Sequence, residues 1–282
     1  MFSLYELITQ EPPVINIVDV GAMSFSQETD AYSALLQKGP VRIVGFEPVQ
    51  AECDKLNAMH SGSGRLYLPY VIGDGAKRTF HECNYPMTSS LYPPHTELLD
   101  KFQNLERLVR VVSSLSVETH RLDDITEITD VDYLKVDVQG AETDVFKGAS
   151  GTLRNVVAVH TEVEFVPLYR NQPLFSDVDR VLRENGFLFH RFTTFSSRTF
   201  KPIVSNNNPN APGSQLLWAD AVYMKDFMQL DRLPAVKLLK LAIVLHEIYG
   251  SFDTCAFVLQ HYSRKTNDGL LEKYIDKLVG KA

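Results

Sequence analysis

The sequence predicts an α/β fold, a doubly wound, mostly parallel sheet followed by a helical appendage. An almost continuous apolar stretch at residues 14–20 is typical of a central parallel strand that is covered on both faces. A helical pattern and a second apolar strand at 41–46 follow it and complete a βαβ unit. From residue 233 onward the apolar residues recur only at helical spacing.

Between these landmarks, helical and strand patterns alternate. Helices are predicted at 26–38, 50–59, 101–108, 141–147 and 176–184, the last opened by a capping box of Ser176 and Asp179. Strands are predicted at 14–20, 41–46, 65–72, 79–83, 133–136, 156–163, 186–195 and 215–224, with a β-rich stretch at 109–122. Because Pro69 cannot donate a ladder hydrogen bond, strand 65–72 is expected at the edge of a sheet ordered 3-2-1-4-5.

The change of period divides the chain into two predicted units, residues 1–227 and a helical appendage at 228–282. The appendage has helical stretches at 233–249, 253–262 and 269–279. It contains eight Lys or Arg and six Asp or Glu, so it carries +2 and leaves −9 on the first unit. The acidic part is therefore the one expected to hold the functional site.

Composition narrows the class of protein. The net charge of −7 argues against an extended nucleic-acid-binding surface. The three cysteines, Cys53, Cys83 and Cys255, are odd in number and widely spaced, which favours a reducing compartment. No export signal is recognised, and the longest apolar patch falls short of the about 20 residues that a membrane span needs. We therefore expect a cytoplasmic protein without a membrane span.

The first predicted strand ends in a pattern that suits a ligand site. Asp19 and Gly21 close the stretch VINIVDVGA, and a glycine there allows a tight turn and the close approach of a ligand to the backbone. The next residues, AMSFSQETD, lack the second and third glycines of GxGxxG. A dinucleotide-binding fingerprint is therefore poorly matched, which disfavours a nicotinamide oxidoreductase.

Two further predicted strands carry polar residues at or near their ends. Asp137 and Gly140 follow strand 133–136, at the switch region where ligands of such sheets bind. His160, Glu162 and Glu164 lie two residues apart on the strand at 156–163 and just beyond it, so their side chains are expected on one face.

The order of motifs VDVGA, GFEP, IGDG, TSSLYP, LDDI, DYLKVDVQGAETDVFKGA, EVEFVPLY and LLWADAVYMK resembles the FkbM family of S-adenosylmethionine-dependent methyltransferases over about residues 14–225. The resemblance implies a seven-stranded Rossmann-like methyltransferase sheet whose last strand is antiparallel. It also implies that S-adenosylmethionine binds at the carboxyl ends of the first strands. The first loop reads GAMSFS where the family more often has GANxG, so a differently shaped cofactor loop is expected.

The resemblance and the strand positions together give a set of cofactor contacts. Glu47 suits the two ribose hydroxyls, because a carboxylate accepts two hydrogen bonds from a vicinal diol; a solvated strand-end acid is the alternative. Asp19 suits the methionine ammonium, or a structural hydrogen bond, and needs a partner if buried. Asp74 suits the adenine amino group, or an ordinary turn. The predicted cofactor-binding residues are Asp19, Gly21, Ala22, Glu47, Pro48, Asp74, Ser90 and Asp137.

The predicted catalytic residues are Asp137, Glu162 and His160. Asp137 would take the proton of an acceptor hydroxyl, or hold the cofactor's amino group, and it is also placed to cap the helix after Gly140. His160 suits a base near neutral pH, although a lone strand histidine is more often structural. Asp137 and Glu162 alone make an incomplete cation site, so no metal is predicted.

These observations predict an enzyme that moves a methyl group from S-adenosylmethionine to a hydroxyl on a sugar, glycan or secondary metabolite. The partner would be that small-molecule or glycan acceptor. The alternative is a non-catalytic, methyltransferase-like interaction protein that uses its helical tail to bind partners.

Overall fold

A computed structural model describes residues 2–22 and 31–281. The described strands are β1 (Ile15–Val20), β2 (Val41–Phe46), β3 (Arg65–Leu68), β4 (Lys77–Cys83), β5 (Val111–Glu118), β6 (Tyr133–Val136), β7 (Ala158–Glu164), β8 (Phe187–Ser197) and β9 (Leu216–Lys225). The described α-helices are α1 (Ser33–Lys38), α2 (Gln50–Met59), α3 (Thr96–Leu99), α4 (Leu105–Leu108), α5 (Glu142–Lys147), α6 (Phe175–Glu184), α7 (Ala235–Glu247), α8 (Phe252–Thr266) and α9 (Leu270–Leu278).

Seven strands form one sheet in the order β3-β2-β1-β6-β7-β9-β8. The first five in that order are parallel, and β9 pairs antiparallel with both β7 and β8. The predicted fold class, the order of the parallel strands and the antiparallel last strand are therefore confirmed. The carboxyl ends of β1, β2, β6 and β7 meet at one edge, where such sheets bind ligands.

Successive side chains of the central strands point to opposite faces of the sheet, so the sheet separates two hydrophobic cores. Ile15 and Ile17 of β1 and Tyr133 of β6 pack with the tail helices on one face. Val18 and Val20 of β1 pack on the other face, in a core that includes residues of α5 and α6. Because both faces are covered, β1 and β6 carry buried apolar residues on both faces, as the sequence pattern indicates.

Three local predictions need correction. Strand β3 ends at Leu68 rather than at residue 72, as expected when Pro69 follows, although its position at the edge of the sheet is confirmed. The helix predicted at 101–108 is reduced to α4, because Asn104 has φ 64° and cannot continue a helix. Before α6, Asp177 and not Asp179 closes the turn, since its Oδ2 accepts from the Leu174 N–H at 3.0 Å.

Other predicted elements are present with shifted bounds, and one arrangement was not predicted. Strands β4 and β5 pair with each other in a separate two-stranded antiparallel sheet. Residues 23–30, which include most of the GAMSFS loop and the start of the helix predicted at 26–38, lie outside the described residues.

The tail helices pack against the sheet. All residues of α7 from Lys237 to Glu247 are buried, and its apolar side chains share a core with β1 and β6. The fully buried Asp132, just before β6, accepts from Lys237 Nζ at 2.6 Å and Lys240 Nζ at 2.7 Å. The division at residue 228 stays a prediction. No helix in the described part of the chain is long and apolar enough to cross a membrane.

Candidate active site

A pocket of about 420 Å³ opens at the carboxyl ends of β1, β2 and β6. Part of its lining belongs to the seven-stranded sheet and the loops that follow its strands, and part comes from the β4–β5 sheet and the short 3₁₀ helix at Pro86–Thr88. The pocket is lined mainly by apolar groups, with a few polar side chains. The predicted site residues that line it are Gly21, Glu47, Pro48 and Asp137.

Gly21 makes the turn that opens the pocket. Its φ is +84°, and a Cβ at this position would overlap the backbone carbonyl oxygen of Asp137. The N–H groups of Gly21 and Ala22 donate to Phe46 O at 3.2 and 3.0 Å. Only a glycine therefore fits where β1 and β6 end side by side, and Ala22 does not itself line the pocket.

Glu47 is a buried carboxylate at the end of β2. Its Oε1 accepts from the Val49 N–H at 2.8 Å, and its other oxygen has no hydrogen-bond partner among the described residues. Burial raises the pKa of Glu47, the Val49 N–H opposes that shift, and the charge of Glu52 adds to it. The side chain therefore lines the pocket with one oxygen available to a ligand.

Asp19 is buried in β1 and does not line the pocket. It is 2% exposed, accepts from Tyr32 Oη at 2.7 Å and forms an ion pair with Lys135 Nζ at 3.0 Å. The partner that its burial requires is thus present. Lys135, and not Asp19, reaches the pocket lining, so a contact of Asp19 with the cofactor stays a prediction.

Asp74 and Ser90 lie outside the pocket lining. Asp74 accepts from the Ala76 N–H at 3.1 Å and pairs with Arg78, as in an ordinary turn. Ser90 donates to Gln139 O at 2.6 Å, and the neighbouring Ser89 lines the pocket instead. Their roles as cofactor contacts stay predictions.

Gln139 joins the two predicted catalytic carboxylates. Its Nε2 donates to Asp137 Oδ1 at 2.9 Å and to Glu162 Oε2 at 2.6 Å, while its Oε1 accepts from Tyr169 Oη at 3.1 Å. Asp137 lines the pocket, and Glu162 lies behind it, 9% exposed. Burial raises the pKa of Glu162 well above its usual value, and the negative charges of Asp137 and Glu164 raise it further.

Glu142 supports the turn after Asp137. Its Oε1 accepts from the N–H groups of Val138 and Gly140, each at 3.1 Å. Burial raises the pKa of Glu142 to about 7, against the opposing effect of these backbone hydrogen bonds. It therefore holds the loop that carries Asp137 and Gln139.

His160 lies on the same face of β7 as Glu162 but deeper, and it does not line the pocket. Its Nδ1 is 3.2 Å from Tyr249 Oη, and its Nε2 is 3.8 Å from Asp220 Oδ1. Among the described residues, no cluster of three or more His, Cys, Asp or Glu side chains is arranged to hold a metal ion.

The sequence reasoning missed Lys135, Gln139, Asp220 and Tyr249. A signal existed for Lys135, since it lies two residues before Asp137 and in register with Asp19 on β1. A weaker one existed for Asp220, an acid within an apolar strand. No local pattern marks Tyr249, because its position depends on how the tail packs.

The methyltransferase FkbM domain model matches residues 19–189, more than half of the chain. The chain belongs to the FkbM methyltransferase family. This confirms the predicted family and with it the cofactor, S-adenosylmethionine. The matched region begins at the last two residues of β1, continues through β7 and contains every residue that we place at the pocket.

Individual proteins with similarity to this chain are also methyltransferases. The 2-O-methyltransferase NoeI of Sinorhizobium fredii is 28% identical over 191 residues, 63% of this chain and 74% of NoeI. Magnesium protoporphyrin IX methyltransferase of Synechocystis PCC 6803, solved with bound S-adenosylmethionine, is 11% identical with a TM-score of 0.38, covering 79% of this chain and 76% of that one. A TehB-like methyltransferase of Corynebacterium glutamicum is 15% identical with a TM-score of 0.36, covering 80% and 88%.

Proposed function

We propose that this protein transfers a methyl group from S-adenosylmethionine to a hydroxyl oxygen of a sugar, glycan or secondary metabolite. The observation that carries the proposal is one pocket whose lining includes both Glu47, at the end of β2, and Asp137, at the end of β6. These carboxylates suit two different tasks, cofactor binding and proton removal. The similarity to NoeI, which is named a 2-O-methyltransferase, supports oxygen as the nucleophile.

The residues present fit the cofactor. The bend at Gly21 leaves room at the end of β1, and Glu47 presents a carboxylate oxygen that no described residue bonds. A ribose diol would donate to that carboxylate. Pro48 and Val49 on one side and Val71 and Ile72 on the other supply apolar surface for a base. Removing either the glycine bend or the Glu47 charge should weaken cofactor binding.

Asp137 is the residue that we assign to proton removal. S-adenosylmethionine supplies a methyl group activated by the positive sulfonium, so the protein has to align the acceptor and accept its hydroxyl proton. Asp137 reaches the pocket and keeps one carboxylate oxygen free of hydrogen bonds to the described residues. Glu162, whose pKa burial raises, accepts from the Gln139 amide and would orient Gln139 and Asp137 from behind.

The pocket wall indicates the chemistry of the acceptor. Phe80, Met87 and Val112 contribute apolar surface to the pocket that Asp137 also lines. Lys135 is the only Lys or Arg among the lining residues that the structure describes, and it is paired with Asp19. This arrangement favours a neutral acceptor with an apolar face, such as a sugar ring, over a phosphorylated one.

Methyl transfer from isotope-labelled S-adenosylmethionine tests the proposal. The purified protein would be incubated with neutral methyl glycosides, oligosaccharides and polyhydroxylated aglycones, each beside its phosphorylated counterpart. We expect an alkali-stable methyl ether on a neutral acceptor, and Asp137→Asn serves as the inactive control. Methylation only at nitrogen or carboxylate groups would contradict the proposal, and absence of cofactor binding would favour the non-catalytic alternative.

A further inference from the structure

A line of polar side chains connects the helical tail to strands β7 and β9 of the sheet. Tyr249 follows α7, and its hydroxyl lies 2.8 Å from Tyr133 Oη and 3.2 Å from His160 Nδ1. Its ring is nearly parallel to the imidazole, at an interplanar angle of 18° and a centroid distance of 6.2 Å. On the far side of the ring, His160 Nε2 faces Asp220 Oδ1 at 3.8 Å. The line therefore runs from the tail through β7 to β9.

The chemistry of the groups sets the direction of the protons along this line. Burial raises the pKa of Asp220, but the facing His160 ring and the hydrogen bond from Thr194 outweigh it and hold that pKa below its usual value. The imidazole Nε2 faces this carboxylate at 3.8 Å, longer than a hydrogen bond, and a carboxylate only accepts, so a proton on Nε2 is the electrostatically favoured arrangement. In the neutral ring, Nδ1 is then an acceptor, and the Tyr249 hydroxyl donates to it. Tyr133 in turn donates to Tyr249.

Asp220 lies beside the carboxylates already described. It is the direct partner of Glu162 across the β7–β9 ladder, so both side chains are on the same face. Strand β9, which carries Asp220, lies two strands away from β6, which Asp137 follows. Two strand spacings correspond to about 10 Å between the backbones of the two residues. The side chain of Asp220 is 32% exposed, whereas that of His160 is only 8% exposed. Asp220 does not line the pocket itself, so a sugar-sized molecule would reach it only by extending from Asp137 past Glu162.

We propose that Asp220 binds a hydroxyl of the acceptor, and that Tyr249 of the tail is a positioning residue that fixes His160 with its Nε2–H toward Asp220. This inference rests on the proposed function, because it names a residue for the acceptor of that reaction. It makes His160 a positioning residue as well, since its Nδ1 faces the Tyr249 hydroxyl and its Nε2 faces the Asp220 carboxylate. It also gives the tail a part in the active site, beyond the packing of α7.

The tautomer of His160 tests the positioning directly and needs no acceptor. Long-range ¹⁵N–¹H spectra of the full chain distinguish Nδ1–H from Nε2–H, and His160→Gln assigns the signals. We expect the Nε2–H form in the wild type and a loss of that preference in Tyr249→Phe. Tyr262→Phe is the matched control, because it removes a buried tail hydroxyl that contacts Gln10 and not the site. An Nδ1–H tautomer in the wild type, or an unchanged spectrum in Tyr249→Phe, would overturn the positioning role.

Steady-state kinetics test the assignment of Asp220, with the neutral methyl glycoside that is methylated fastest as the probe. We expect Asp220→Asn to raise the KM for the glycoside about tenfold while the KM for S-adenosylmethionine stays within about twofold. Tyr249→Phe should show the same pattern with a smaller change, and Tyr262→Phe should match the wild type. A KM for the glycoside that Asp220→Asn does not change would overturn the acceptor contact. Absence of methyl transfer by the wild type would count against the proposed function, while the tautomer result still decides the role of Tyr249.

Discussion

The contact of Asp132 with α7 allows a stability prediction with an internal control. Asp132 is fully buried and accepts from Lys237 Nζ and Lys240 Nζ at 2.6 and 2.7 Å, as well as from the Asn16 N–H at 2.9 Å. Asp132→Asn would remove the buried carboxylate of both ammonium groups and leave them only the exposed Asp130, which lies 2.8 Å from Lys237 Nζ and 3.9 Å from Lys240 Nζ. Removing one partner of a buried ion pair typically costs about 3–5 kcal/mol, so we expect the free energy of unfolding to fall by about that amount.

Asp130 provides the matched comparison. It also pairs with Lys237 Nζ, at 2.8 Å, but its side chain is 55% exposed. An exposed pair contributes about 0–1 kcal/mol, so Asp130→Asn should have little effect. Urea unfolding followed by circular dichroism gives both free energies. Equal effects of the two substitutions would show that Asp132 does not hold α7 against the sheet, and a separable tail at 228–282 would then gain support.

The other predictions concern the pocket. Gly21→Ala should abolish binding of S-adenosylhomocysteine in calorimetry, because the added Cβ overlaps the Asp137 carbonyl. Retained binding would show that the turn at Gly21 is not needed for the cofactor. Asp137→Asn should lower kcat by about 100-fold or more with cofactor affinity nearly kept, and a matching loss of affinity would make it an anchor instead. Cofactor affinity should also fall as the pH is lowered toward the raised pKa of Glu47, since the protonated form accepts less well; Glu47→Gln should lack this dependence.

Much of the fold follows from local patterns that the structure retains. Buried strands such as β1 and β6 are apolar on both faces, so their positions are visible in the sequence. Pro69 marks the edge strand in the same direct way. The pairing of β4 with β5 depends instead on contacts between segments about 30 residues apart, which periodicity alone does not encode.

Some residues of the candidate site can also be predicted from local sequence patterns, and others cannot. Gly21, Glu47 and Asp137 follow strands, so a strand prediction places them at one edge of the sheet. No sequence pattern marks Gln139, whereas its side chain joins Asp137 to Glu162. Tyr249 comes from the tail, about 90 residues beyond His160 in the chain, and only tertiary packing brings the two together.

Calorimetric titration of the full chain with S-adenosylhomocysteine tests the central claim, that the pocket beside Glu47 is the cofactor site. We expect one molecule to bind per chain, Glu47→Gln to weaken the binding by about 1–3 kcal/mol, and Glu52→Gln, a nearby exposed glutamate, to leave it unchanged. Absence of binding by the wild type, or equal affinity of the wild type and Glu47→Gln, would contradict the account.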